Sequence, residues 1–258
     1  MPVIDLHSHI LPGLDDGPES VEDSLALARV ATAAGTRALA TTSHVDVTFG
    51  LQPADLAAAR TALAAALAEA GIELELLAGG EVAPARLPEL DDEMLRALAL
   101  GGGSTVLLEC PFTPVGASME LMVADLRRRD FGVLLAHPER SPTFQHDLAR
   151  LERLVELGAH AQVTAGALAG DFGGTPRDAA ARMLRRGLVH VLASDAHGAT
   201  HRAPDLRVAG EEVDADQLAW MTEAAPAAVL AGQPLPERPP LPRARGVRDR
   251  LRRSWSPR

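Results

Sequence analysis

Seven short apolar runs recur along the chain, at residues 3–6, 38–42, 74–78, 106–108, 133–136, 161–163 and 189–193. Between them lie stretches whose apolar residues fall three and four apart, the helical period: 20–34, 53–70, 88–99, 118–130, 148–157 and 176–186. A last helical region covers 215–230 and is interrupted near Pro226. Strands that alternate with single helices pair in parallel, because each helical crossover returns the chain to the same end of the sheet. The order predicts one α/β domain, its sheet either closed into a barrel or open and doubly wound. Pro18 and Ser20 followed by Asp23 predict a capped start for the first helix. Gly35, Gly71, Gly132, Gly158 and Gly187 stand just past helices and read as C-caps.

The alternation stops near Gly232. Residues 1–231 therefore read as one domain, and 232–258 as a Pro- and Arg-rich tail expected to be disordered. From Glu237 onward eight arginines face Glu237 and Asp249, so the tail carries +6 and the body −16 of the net −10. An acidic body argues against nucleic acid as a partner. No apolar run nears the roughly 18 residues of a membrane span, and the start shows no basic-plus-apolar leader. With one cysteine and no disulfide framework, the expectation is a cytoplasmic protein.

The residues that carry chemistry gather at the strand ends. The first strand runs into Asp5, His7 and His9, with Asp15 and Asp16 soon after. The second ends at His44, the third is followed by Glu81, the fourth ends at Glu109, the fifth at His137 and the seventh at Asp195 and His197. In a parallel barrel all of these lie on one face, the face where such barrels carry their sites. His7 and His9 are two apart, as are Asp195 and His197, so on extended chain each pair points one way. Imidazole with carboxylate and no thiolate suits zinc, manganese or iron, and there are donors enough for two or three ions. Asp5, inside its strand, reads equally as a supporting residue. His146, His160 and His190 read as structural, the last two because they precede strands at the opposite end. His201 stays ambiguous. Cys110 lacks the arginine-ended phosphate loop of a thiol phosphatase and reads as buried packing. No GxSxG elbow, Walker loop or strand-linked GxGxxG is present.

The segments DLHSHILPGLDDGP, TTSHV, GGEV, LLECPF, LLAHPER and LASDAH, in this order, resemble the polymerase-and-histidinol-phosphatase (PHP) superfamily. They resemble most its metal-dependent protein-tyrosine phosphatases of the CpsB/CapC/YwqE type, over residues 1 to about 230. The resemblance implies a distorted (β/α)7 TIM-like barrel with three metal ions, manganese above others. It implies one ion on His7, His9, Glu81 and Asp195, a second on Glu81, Glu109 and His137, and a third on Asp16, His44 and His197. Arg140, His44 and Asp16 would be catalytic, with Arg140 and Arg202 binding the substrate phosphate. The implied substrate is a phosphotyrosine-bearing protein, the C-terminal tail of a bacterial tyrosine kinase in capsule or exopolysaccharide regulation, and a homo-oligomer is compatible with it. Val45 departs from the polar or basic residue often found there. Rival readings are a PHP phosphoesterase for a small metabolite such as histidinol phosphate or for a nucleotide, an amidohydrolase-type enzyme, and a silent scaffold that binds a kinase tail. The absence of any lysine counts against the amidohydrolase bridge.

Overall fold

The computed structural model describes residues 2–113 and 118–241. Among the described residues there are nine strands: β1 (Val3–Asp5), β2 (Thr36–Ala40), β3 (His44–Val45), β4 (Glu75–Leu77), β5 (Glu81–Val82), β6 (Thr105–Glu109), β7 (Gly132–Ala136), β8 (Ala159–Thr164) and β9 (Val191–Ala193). They make seven staves. The second stave breaks between β2 and β3 and the third between β4 and β5, where Thr41 N donates to Leu77 O and Glu81 N to Ser43 O. Every pairing is parallel, in the order β1-β2-β4 and then β3-β5-β6-β7-β8-β9. The ends meet: Ser8 bridges Ala196, His9 N donates to Ala196 O, and Asp195 N donates to His7 O. Of the two architectures left open by the alternation, the closed seven-stave barrel is the one formed.

The helices are α1 (Val21–Ala34), α2 (Pro53–Glu69), α3 (Asp92–Leu98), α4 (Ser118–Arg128), α5 (Pro142–His146), α6 (Leu148–Glu156), α7 (Ala165–Ala169), α8 (Gly174–Arg185), α9 (Ala215–Ala219) and α10 (Ala225–Leu230). Ser20 caps α1 by accepting from Asp23 N, and Pro53 opens α2, where it has no N–H to leave unpaired. The break near Pro226 takes the form of a π turn over Trp220–Ala224, which joins α9 to α10. Gly35, Gly71, Gly158 and Gly187 all have positive φ, as caps should. Gly132 does not: it is the first residue of β7, and Asp130 takes the left-handed turn instead (φ 63°). A Cβ at Gly132 would lie 2.6 Å from Thr105 Oγ1, so close strand packing is what requires glycine there.

Two apolar cores divide the work. Inside the barrel Ile4, Leu6, Ala38, Ala40, Leu107, Leu134, Ala136 and Val191 pack together, and Leu100 and Val229 belong to the same cluster. Because Leu100 and α10 lie beside the start of β6, they plug the N-terminal end. A larger core lies between the staves and the surrounding helices. Each fully buried Leu, Ile or Val there contributes about 1.5–3 kcal/mol by leaving water. One end of the barrel is thus sealed with hydrocarbon, and the other is left for polar groups.

The first part of the tail, expected to be disordered, lies against the barrel instead. Trp220 Nε1 donates to Pro236 O at 3.2 Å, Gln217 Nε2 to Pro240 O at 3.0 Å, and Arg238 stacks 4.5 Å over the Trp220 ring while reaching Val189 O. Proline-rich extended chain leaves its carbonyls unpaired, and here Trp and Gln side chains meet them. Residues 242–258 lie outside the described residues.

Candidate metal centre

The open C-terminal end of the barrel gathers the donors. His7 and His9 leave β1 with Nε2 atoms 3.3 Å apart. Both face Asp195 Oδ1 at 3.4 Å. Glu81, at the start of β5, presents Oε2 to His44 Nδ1 at 3.1 Å, His7 Nε2 at 3.4 Å and His9 Nε2 at 3.5 Å, while Oε1 meets His137 Nε2 at 2.7 Å. Asp16 Oδ1 stands 3.2 Å from His197 Nε2 and 3.5 Å from His44 Nε2.

Among the described residues these atoms form three overlapping groups, each compact enough for one ion: His9, Asp16, His44 and His197; His7, His9 and Asp195; and His7, Glu81 and His137. Eight of the nine expected donors are brought together. Glu109 is the exception. It ends β6 beside Glu81, outside every group, and burial together with the Glu81 charge pushes its carboxyl up to about 7. Two carboxylates in one dry pocket repel when no cation separates them. Asp5 also stands apart: its Oδ1 accepts from His7 N and Ser194 N, tying the first stave to the seventh.

The donor set fits divalent cations on its own chemistry. Glu81 Oε2 is buried among three imidazole nitrogens and accepts no hydrogen bond. Three of the imidazole nitrogens that face away from the groups are already engaged: His7 Nδ1 with Gln162 Oε1 at 3.0 Å, His9 Nδ1 with Asp15 Oδ2 at 2.8 Å, and His197 Nδ1 with Asp195 O at 2.9 Å, whereas His137 Nδ1 is buried without a partner. Such partners fix the ring and leave the inner nitrogen for an ion. Burial works against charge on Asp195 and Glu81. The histidines nonetheless hold both carboxylates well below the usual range, with Arg202 adding to the effect at Asp195.

The backbone is strained where the donors turn inward. Among the described residues four non-glycine residues have left-handed φ, and three of them are His137 (36°), Asp195 (52°) and Arg202 (49°). Each costs on the order of 1–3 kcal/mol and persists only because its surroundings impose it. Arg140, in the 3₁₀ turn Pro138–Arg140, donates to Asp195 Oδ2 at 2.7 Å, and Arg202 donates to the same oxygen. The two guanidinium groups therefore stand side by side at the edge of the donor cluster. His160 and His190 lie at the opposite end, ring against ring at 5.0 Å, as expected of structural residues. His201 is exposed and belongs to none of the groups.

Residues 3–218 match the family model for capsular polysaccharide synthesis, CpsB/CapC. The chain belongs to the CpsB/CapC family. It is 33% identical over 245 residues to YwqE of Bacillus subtilis (strain 168), a protein named tyrosine-protein phosphatase, with 93% of this chain and 96% of that one covered. Its backbone matches a chain from the crystal structures of YwqE from Bacillus subtilis and CpsB from Streptococcus pneumoniae, described as unique metal-dependent tyrosine phosphatases. The TM-score there is 0.81 at 32% identity, covering 94% of this chain and 100% of that one. A β-aspartyl dipeptidase from Fervidobacterium islandicum aligns at TM-score 0.56 and 15% identity, over 89% of this chain and 72% of its own, which shows the fold alone.

Two residues that support the CpsB/CapC centre escape a reading of strand ends. Gln162 sits inside β8 with nothing in its neighbours to mark it. Asp15 is the first of an Asp-Asp pair of which Asp16 reads as the donor. The signal for Asp15 was available: consecutive residues face different ways, so two acids in one turn rarely serve one ion.

Proposed function

We propose that this protein is a metal-dependent phosphomonoesterase that removes phosphate from tyrosine in proteins. The observation that carries the proposal is the overlap of three donor groups at one barrel mouth, with Arg140 and Arg202 at their edge. His7, His9, Asp16, His44, Glu81, His137, Asp195 and His197 would hold two or three divalent ions, manganese first among them, with Glu109 drawn in once a cation lies between it and Glu81. When bound, such ions polarise phosphoryl oxygens and make water acidic enough to serve as a nucleophile near neutral pH.

The rest falls to the chain itself. Arg140 and Arg202 share Asp195 Oδ2, and an arriving phosphate offers their planar forks a dianionic acceptor that each can grip with two N–H groups. Asp15 holds the His9 ring, Gln162 holds the His7 ring, and His44 and Asp16 line the side of the cluster nearest solvent. Charge that develops on phosphorus oxygens meets donors that need no rearrangement, the main source of acceleration in phosphoryl transfer. The proposed physiological substrate is a phosphotyrosine-bearing segment such as the C-terminal tail of a bacterial tyrosine kinase. Relatives named for capsular polysaccharide synthesis and for tyrosine phosphatase activity support this.

The test is phosphate release by purified protein with manganese from phosphotyrosine peptide, phosphoserine peptide and histidinol phosphate, each with and without chelator. Chelator-sensitive release that favours phosphotyrosine is expected. Preference for histidinol phosphate would overturn the substrate, and no release from metal-loaded protein would overturn the activity.

A further inference from the structure

Aromatic residues are scarce in this chain: five phenylalanines, two tryptophans and no tyrosine. Phe131 and Phe144 are buried in the core. The other three stand around the donor cluster. Phe49 stacks on His44 with ring centroids 5.8 Å apart and 4° between planes, and Phe112 stacks on His137 at 5.4 Å and 12°. Phe172 lies 4.5 Å from the guanidinium carbon of Arg140, which Phe112 approaches from another direction at 4.7 Å.

A lone exposed apolar side chain needs no explanation. Phe49 and Phe112 are 37% and 47% exposed, and their placement is not random. His44 is the histidine nearest Glu81 Oε2, at 3.1 Å with His7 and His9 farther off, and His137 meets the other oxygen at 2.7 Å. Each carries one of these rings. The centre is therefore flanked on two sides by phenyl faces at the level of the donors, where the group attached to a bound phosphate must lie.

We propose that Phe49 and Phe112 are specificity-determining residues, a two-sided apolar mouth that grips the aromatic ring of an aryl phosphomonoester. The inference deepens the phosphatase reading and rests on it for the site's orientation. In phosphotyrosine the ring directly follows the phosphate oxygen, so it reaches the phenylalanines while the phosphate reaches the arginines. In phosphoserine the polar peptide backbone would sit at that depth and lose hydration against hydrocarbon. The mouth thus discriminates twice, by offset or edge-to-face contact with the ring and by rejection of backbone. Phe112 also touches Arg140, so its loss disturbs phosphate as well as ring. Phe49 rests on His44 and is the cleaner probe.

Binding of phenylphosphonate and of methylphosphonate to manganese-loaded protein, measured by calorimetry, tests this without any leaving-group chemistry. Native protein is expected to prefer phenylphosphonate at least tenfold. Phe49→Ala should cut that preference about fivefold, equivalent to about 1 kcal/mol, with metal content unchanged, and Phe49→Trp should keep it. Equal weakening of both phosphonates, or a preference that survives in both Phe49→Ala and Phe112→Ala, overturns the proposal, as does native protein that binds neither. If native protein shows the aryl preference but releases phosphate from no ester, the activity falls while the aromatic mouth stands.

Discussion

Asp15 lies outside all three donor groups yet touches two of their members. Its Oδ2 takes His9 Nδ1 at 2.8 Å and the backbone N–H of His44 at 3.0 Å, and its Oδ1 takes Gly17 N at 3.1 Å. Burial alone would raise its carboxyl, but the His9 contact holds it lowered, so it stays an anion behind the imidazole. An anion there fixes the ring and makes Nε2 a stronger donor. Replacing such a partner typically costs 10–100-fold in metal affinity. Asp15→Asn is expected to weaken manganese binding by about that factor at unchanged secondary structure, and calorimetry with far-ultraviolet dichroism reads both. Unchanged affinity would reduce Asp15 to a loop staple. Arg140→Ala should do the reverse: metal content stays, while inhibition by inorganic phosphate weakens about 10–100-fold, the worth of a charged hydrogen-bond pair. Metal loss in that variant would remove Arg140 from the role of phosphate clamp.

The loop between β1 and α1 shows what can and cannot be read at the scale of elements. Asp15, Asp16 and Gly17 form one turn, and a methyl group on Gly17 would collide with the carbonyl oxygen of His9. Gly17→Ala should therefore push the turn outward, taking Asp16 from His197 and His44. Metal titration should lose its outermost site, and thermal midpoint should fall by several degrees, the usual shift for a few kcal/mol in a domain of this size. Loss of midpoint with all sites intact would mean that Asp16 is not a donor. All seven staves were legible because apolar runs alternate with helical periodicity, and most donors were legible because parallel strands end on one face. The splits of the second and third staves were not, since a ladder interruption depends on the neighbouring strand. Nor were α5 and α7, which at five residues each span barely more than one helical turn. Glu109, which the resemblance groups with Glu81 and His137, lies outside the three compact groups, because a strand end gives a side chain's neighbourhood but not its reach. Phe49 and Phe112 drew no notice, as no spacing rule places a loop residue on an imidazole.

Across the whole molecule the histidines at the two ends of the barrel meet opposite demands, since those at the N-terminal end lie beside its apolar plug. At the C-terminal end histidines and carboxylates offset one another. At the N-terminal end His160 and His190 are packed together with Arg127 and Arg238 near, and burial followed by those charges keeps both imidazoles neutral. His190 is pushed down to about 3, and its Nδ1 accepts from Ala161 N at 3.0 Å, a bond that protonation would destroy. The unfolded chain binds a proton at this histidine below about pH 6.5, whereas the folded chain refuses it until about 3. The stability this group contributes is therefore complete above pH 6.5 and declines as pH falls toward 3, by about 1.4 kcal/mol per unit. Denaturant unfolding of chelated protein should lose about 2 kcal/mol between pH 7 and pH 5 on this account. His190→Gln should be less stable at pH 7 but should flatten that interval by the same amount. Parallel pH profiles for the two proteins would mean that acid sensitivity arises at the donor end instead, where removing Asp15 or Glu109 would then be the change that moves it.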